Sequence, residues 1–257
     1  MPRSQEPDVA IRCSDVSMAY AGGTRAVDGV SFTLPHAGAL AIMGPTGAGK
    51  STLAAVLAGS AEAGLTVVGG DAQVLGISAR RPGRAHRQWL YQVGFVAQGA
   101  GARLPARMTV GEVIGEPITS RDRRVNARAL AVRIATLLDE MQLPLGAAAK
   151  FPYELSAGMR QRVAFARALV LQPRILIADE PLAGLDLEVR HVVYDAIVGR
   201  GRSNGMSALL VTNDADFARE LNADVLVMRG GHVIAQGHGS ELMWTPSAEA
   251  EHHVLAS

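Results

Sequence analysis

Gly44-Pro45-Thr46-Gly47-Ala48-Gly49-Lys50-Ser51-Thr52 gathers glycines, one lysine and neighbouring hydroxyls in a single short stretch. The spacing fits the phosphate-loop pattern G-x-x-x-x-G-K-[ST] without a mismatch. Glycines let successive backbone N–H groups turn inward around an anion. A helix starting at Lys50 adds its dipole and its unpaired N–H donors. Lys50 then meets the β- and γ-phosphates of a nucleotide, and the Ser51 hydroxyl is a ligand for Mg²⁺. Lysine occurs elsewhere only at Lys150, the other basic side chains being arginine. A lysine kept here in an arginine-rich chain points to a need of the site. The plainer alternative is a glycine-rich turn before a helix.

Arg174-Ile175-Leu176-Ile177-Ala178-Asp179-Glu180 supplies a second group. An apolar strand ending in two carboxylates is costly unless they serve an ion or a reaction. Asp179 is expected to hold Mg²⁺, directly or through water, and Glu180 to polarise the water that attacks the γ-phosphorus. Phosphoryl transfer needs mainly positioning and charge stabilisation, so these few groups suffice. The competing reading, a helix-capping pair, is weakened by Pro181, which follows at once. Together the two segments imply a nucleotide phosphatase or kinase of the P-loop class.

The elements that must position these groups follow from the apolar pattern. Strands are expected at Ile11 to Ala19, Val30 to Leu34, Leu40 to Met43, Leu65 to Val74 and Val93 to Ala97, with a turn at Ala21-Gly22-Gly23. Lys50 to Ala58 reads as the helix after the phosphate loop, and Ser78 to Arg87 as a solvated, arginine-rich connection. A helical stretch from about Thr109 to Met141 is expected to break at Pro117, and a further helix spans Ser156 to Leu171. Then come strand Ile175 to Ala178, helix Leu187 to Gly199, strand Ala208 to Thr212, helix Asp214 to Leu221 and strand Val225 to Met228. Alternation of this kind implies a parallel sheet with helices on its faces. Residues from about 99 to 173 read as a helical lobe inserted into that α/β core. Trp244 to Ser257 reads as a weakly packed tail.

Composition narrows the classes. The chain has 257 residues, 48% hydrophobic and 19% charged, which suits a folded domain with a sizeable core. A formal charge of +1 argues against a nucleic-acid partner. The single cysteine, Cys13, excludes an intrachain disulfide framework and a four-cysteine metal site. The start, MPRSQEPDVA, lacks the apolar stretch of a signal peptide, and no apolar run approaches the ~18 residues of a membrane span. These features lead us to expect a cytosolic chain that meets a membrane through a partner.

Leu155-Ser156-Ala157-Gly158-Met159-Arg160-Gln161-Arg162 lies shortly before the Asp179-Glu180 strand and resembles the L-S-G-G-Q signature of ATP-binding cassette (ABC) proteins. Ser156 is placed to cap a helix whose N-terminus can bind an anion. The resemblance implies that this anion is the γ-phosphate held by a second subunit, with Ser156, Ala157, Gly158 and Met159 forming a site in trans. Gln98 is similar to the Q-loop glutamine, implied as a metal-site residue beside Ser51 and Asp179. Tyr20 stands where family members stack an aromatic ring on adenine, and Leu185-Asp186 is similar to the D-loop. The resemblance spans nearly the whole chain. It implies an α/β fold: a P-loop NTPase core with a parallel sheet, N-terminal antiparallel β strands and an inserted helical subdomain. The expected ATPase domain is 9–245, with the helical subdomain at roughly 99–173 and tails at 1–8 and 246–257. ATP and Mg²⁺ are the implied cofactors.

Met159 to Val163, Met108 to Pro117 and Leu176 to Pro181 are similar to the ATPases of peptide and nickel importers. The resemblance therefore implies an ATPase that powers import of peptides, nickel or a metal chelate. Its partners would be a second ABC ATPase subunit, identical or different, transmembrane permease subunits and a substrate-binding protein, and it would lie peripherally on the cytoplasmic face of the cell membrane. Two departures stand out. Ala157 replaces the first signature glycine. Asn213, in Val211-Thr212-Asn213-Asp214, occupies the place of the switch histidine, and none of the seven histidines stands there. Losing a donor to a developing charge slows a step by ~10²–10³, so a weakly hydrolysing regulatory subunit is one alternative. Another is an ABC ATPase outside transport, in assembly or phosphonate degradation.

Overall fold

The structure, a computed structural model, describes residues 9–61, 63–80, 83–122, 124–238 and 241–244. Along the chain the elements are β1 (Val9–Ala19), β2 (Arg25–Pro35), β3 (Ala39–Met43), α1 (Lys50–Leu57), β4 (Thr66–Val74), β5 (Ile77–Ser78), α2 (His86–Gln92), β6 (Val93–Val96), α3 (Val110–Thr119), α4 (Ala127–Glu140) and α5 (Ala157–Leu169). There follow β7 (Ile175–Asp179), α6 (Leu187–Asn204), β8 (Ser207–Val211), α7 (Ala215–Glu220), β9 (Asp224–Arg229), β10 (His232–His238) and β11 (Glu241–Trp244). The chain divides into two compact units, Met1–Trp89 with Leu209–Ser257, and Leu90–Ala208.

In the first unit, β1 is the seam of an antiparallel sheet of order β2-β1-β4-β5. Ile11 pairs with Leu34 on one side and Val74 on the other, so one row of apolar residues runs across three strands. β2 shows the expected period of two: Val30, Phe32 and Leu34 are buried while Gly29, Ser31 and Thr33 are exposed. The phosphate loop belongs to a second sheet, in which β3 runs parallel to β9, from Leu40 opposite Asp224 to Met43 opposite Val227. On its other flank, the Thr212 N–H donates to the Ile42 carbonyl at 3.1 Å, just beyond β8. β9 turns back into antiparallel β10, and β10 pairs in turn with β11. Small side chains let α7 lie close: Ala41, Ala218, Ala223 and Val225 form one buried cluster. The buried Trp89 indole N–H donates to the Leu57 carbonyl at 3.1 Å, satisfying an acceptor that the end of α1 leaves open.

In the second unit β6 and β7 are parallel, from Val93 opposite Ile175 to Val96 opposite Ala178. Every residue of β7 is buried, as expected for a strand covered on both faces. Between them the described residues form helices and 3-10 turns without a strand. Each of three helices starts at a side-chain cap: Thr109 accepts from Glu112 N–H, Asn126 from Ala129 N–H, and Ser156 from Met159 N–H. Glu112 completes a capping box by accepting from Thr109, which holds its carboxyl below the ordinary value. Helix α5 is approached closely from two sides. A Cβ on Gly94 would lie 2.5 Å from the Ala168 carbonyl oxygen, and one on Gly101 would lie 2.7 Å from the Gln161 nitrogen.

Several elements differ from the sequence expectation. The helix does not break at Pro117: α3 continues to Thr119, and Ser120 N–H still bonds the Glu116 carbonyl at 2.9 Å. Proline there removes its own N–H donor, yet the helix runs on, and the break falls after Thr119. Within Ser78 to Arg87, expected as an open connection, β5 ends and α2 begins at His86. Strands β10 and β11 were not expected at all, and Trp244 lies in a strand rather than a tail. The expected tails at 1–8 and 246–257 lie outside the described residues. Among the described residues no helix is long and apolar enough to cross a membrane.

Candidate functional site

In the first unit, β3 delivers the chain at Met43, and the loop 44–49 returns it into α1 at Lys50. Gly44 and Gly49 are demanded by close approach. A Cβ on Gly44 would lie 2.0 Å from the Met228 carbonyl oxygen, and one on Gly49 would lie 2.2 Å from that of Ala26. Gly47 meets nothing within 4 Å, but its φ of +83° selects glycine. The β9–β10 turn buttresses the loop from behind, since Gly231 N–H donates to the Ala48 carbonyl at 3.2 Å. Gly231 is held in turn, its carbonyl accepting from Asp28 N–H at 2.9 Å.

Unlike α3, α4, α5 and α7, helix α1 has no side chain over its first N–H groups: its cap is Gly49. Those donors and the helix dipole are left for an anion. Lys50 is 7% exposed, and its Nζ donates to the Gly44 oxygen at 2.6 Å and the Pro45 oxygen at 2.9 Å. An ammonium carries three donors, so one remains for a phosphate. Pro45, Thr46, Gly47 and Ser51 are exposed, Thr52 is half-buried and Ala48 is buried. Tyr20 is 38% exposed and is tied into the β1–β2 turn by its N–H to the Thr24 carbonyl. Its hydroxyl lies 3.5 Å from Thr52 Oγ1 in the first turn of α1. Asn213 is brought to the loop as well: its Oδ1 accepts from Gly44 N–H at 2.9 Å. The sequence suggested a donor here, whereas the oxygen end of the amide is engaged by the loop itself.

In the second unit, Asp179 closes β7 and is 3% exposed. Glu180 follows half-buried, with φ at +49°, a left-handed conformation that a side-chain-bearing residue rarely adopts. Gln98 is exposed just after β6. Ser156 is exposed and caps α5; its Oγ accepts from Met159 N–H at 3.2 Å, which leaves the hydroxyl proton free to donate. Ala157 is exposed, and Gly158 and Met159 are half-buried on the first turn. Asp186 stands before α6 as its cap residue, without a side-chain capping bond.

Two supports escaped the sequence reading. The Gly230-Gly231 turn carries a hairpin signal that the apolar pattern alone does not reveal. Buried Gln161 lies within the signature segment, but nothing in the sequence signalled that it reaches both Gly101 and Pro181.

Comparison with known proteins adds the family. The ABC transporter family model matches residues 27–183. The oligopeptide transport ATP-binding protein OppD of Mycobacterium tuberculosis is 35% identical over 243 residues, which is 92% of this chain and 38% of that protein. This chain thus spans well under half of that relative's length. A Brucella abortus protein named as a peptide import ATP-binding protein is 32% identical over 244 residues, covering 93% of this chain and 72% of the relative. Among solved structures, the dimeric ATP-binding cassette MJ0796 bound to ADP and Pi superposes with a TM-score of 0.80 at 24% identity, covering 89% of this chain and 98% of that one. That likeness carries the fold. With the profile match covering more than half of the sequence, the chain belongs to the ABC transporter ATP-binding family.

Proposed function

We propose that this chain is the ATP-binding and hydrolysing subunit of a membrane importer, with peptides as the class of cargo. The observation that carries the first part is the loop itself: a side-chain-free helix start facing the same loop as a buried lysine ammonium. The cargo class is supported by the relatives, which are named for oligopeptide transport and peptide import. In this reading the Tyr20 ring stacks on adenine, and Lys50 with the N–H groups of Gly44 to Thr52 holds the phosphates. Glu180 polarises the attacking water. Ser51, Gln98 and Asp179 are each oxygen donors, Asp179 a carboxylate at the buried end of an apolar strand, and by their chemistry they would suit Mg²⁺. Held there, the ion would supply neutralisation of phosphate charge.

Ser156, Ala157, Gly158 and Met159 serve the nucleotide of a second ATPase subunit, and Asp186 lies at that interface. The dimer works with transmembrane permease subunits and a substrate-binding protein, peripherally on the cytoplasmic face of the membrane. The test is Lys50→Ala in the full chain. ATP·Mg²⁺ binding measured calorimetrically is expected to disappear, along with peptide-stimulated hydrolysis in the membrane-associated complex. Unchanged affinity and turnover would overturn the assignment.

One observation favours a refinement. Asn213 holds the phosphate loop with its oxygen and carries no titratable donor. Hydrolysis at this chain's own loop is then the slower of two, and the loop of a partner that keeps a histidine is the faster.

A further inference from the structure

We infer that Gln161 is a positioning residue for hydrolysis, tying the segment after Gln98 to the turn that carries Glu180. It rests on the reading of Glu180 as the residue that polarises water. Gln161 lies in the second turn of α5 and is 4% exposed. The same helix buries Val163, Ala164, Phe165, Ala166 and Leu169. A buried amide in such company is costly unless both its ends are bonded. Both ends are. Oε1 accepts from Gly101 N–H at 3.2 Å, and Nε2 donates to the Pro181 carbonyl at 3.4 Å.

The two bonds reach different places. Gly101 belongs to the 3-10 turn Ala100–Arg103, shortly after Gln98. It is glycine for a reason: a Cβ there would lie 2.7 Å from the Gln161 nitrogen and 2.9 Å from its Cα. The turn therefore rests directly on α5 where Gln161 departs. Pro181 follows Glu180, whose φ of +49° persists only while its surroundings hold it. Ala183 N–H donates to the Glu180 carbonyl at 3.1 Å from within the turn. Gln161 grips the next carbonyl from outside, so the backbone on which Glu180 stands is fixed from two directions. A long amide fits because it offers a donor and an acceptor at once; a carboxylate lacks the donor, and a thioether offers no donor and only a weak acceptor.

The experiment compares Gln161→Met and Gln161→Glu with Glu180→Gln and the parent, all as the full chain. Steady-state ATPase rates are taken across ATP concentrations, with melting temperatures to correct for the folded fraction. Gln161→Met keeps the volume and removes both bonds; kcat is expected to fall about tenfold with KM for ATP within about twofold of the parent. Gln161→Glu keeps an acceptor for Gly101 N–H and loses the donor to Pro181, and its kcat falls by a similar factor. If Gln161→Met does not fold, Gln161→Glu carries the same comparison. Parent-level kcat in the folded variants overturns the inference. So does a loss that vanishes once rates are corrected for the folded fraction. Glu180→Gln separates the two readings. If it hydrolyses at the parent rate, the role of Glu180 fails and the inference with it. If it is silent while the Gln161 variants keep full kcat, the inference alone fails.

Discussion

Replacing Asn213 by histidine is expected to raise turnover at this chain's own phosphate loop without loosening the loop. Asn213 Oδ1 accepts from Gly44 N–H at 2.9 Å. In asparagine that oxygen, and in histidine Nδ1, are both bonded to Cγ. A neutral imidazole therefore offers an acceptor at nearly the same position and keeps Nε2–H as a donor one ring-width further out. One donor aimed at a developing charge is worth up to ~10²–10³ in rate. Asn213 is exposed, so water competes and the expected gain in kcat is nearer tenfold, about 1.4 kcal/mol. Asn213→Ala reports the other end of the argument. It deletes the acceptor at an exposed N–H, a net cost of about 0.5–1.5 kcal/mol, so ATP affinity falls by roughly twofold to tenfold. The sign of the pH effect follows from the acceptor. Only neutral imidazole accepts from Gly44, so the gain in Asn213→His is present above the ordinary histidine value of ~6.5 and lost below it. The parent amide does not titrate. The assay is ATPase rate against pH for parent and both variants, with ATP affinity by calorimetry. An Asn213→His chain no faster at pH 8, together with unchanged affinity in Asn213→Ala, would refute the reasoning.

The glycines give two further tests. Gly49→Ala drives a methyl to 2.2 Å from the Ala26 oxygen at a φ of +93°, which costs about 3 kcal/mol, whereas Gly47→Ala has open space and bears only the left-handed penalty of about 1–2 kcal/mol. Calorimetric melting and ATP titration should show Gly49→Ala both less stable and the poorer binder; equal effects would mean that the loop does not depend on the Ala26 contact. Gly158→Ala meets only the Gly184 oxygen at 3.5 Å and a Leu185 methyl at 3.7 Å, so the isolated chain should gain about 0.5–1 kcal/mol from the helix. Its ATP-driven dimer, assayed by size exclusion in the Glu180→Gln background, should nonetheless be weaker; an unaffected dimer would show that nothing approaches that position.

What was legible in the sequence was local. The phosphate loop, its strand and its helix fall within a short stretch, so residue types and spacing carry both motif and context. Ser156 was readable as a cap because the bond it makes spans only three residues. Helix α2 was missed because Trp89 is its one buried residue, and one apolar position makes no 3.6-residue period. Strand β10 was missed because Ile234 interrupts the polar row of His232, Gln236 and His238 and the opposite row holds the small Ala235 and Gly237, although Gly230-Gly231 marks the turn before it. The contacts that refine the site are long-range. Asn213 meets Gly44 across 169 positions, and Gln161 meets Gly101 and Pro181 across 60 and 20. No periodicity records such pairings, and the left-handed φ of Glu180 has no glycine to announce it.

The two kinds of glycine separate what this chain does alone from what it does with another. Gly44 and Gly49 are dictated from within, by the Met228 and Ala26 oxygens, so the chain's own contacts shape the loop. Lys50 is likewise in place, with its ammonium already on the Gly44 and Pro45 carbonyls. A site assembled in advance binds without meeting the cost of ordering. Gly158 is different, because the chain's own atoms leave room for a methyl there. Beside it Ser156 caps α5 with its oxygen, and its exposed hydroxyl proton remains available to a further acceptor. A glycine inside a helix is mildly unfavourable for a lone chain, and the first turn of α5 holds one next to that hydroxyl. They make sense if a phosphate from outside the chain comes close to that backbone. On the proposed function, ATP capture belongs to the single subunit and hydrolysis to the pair.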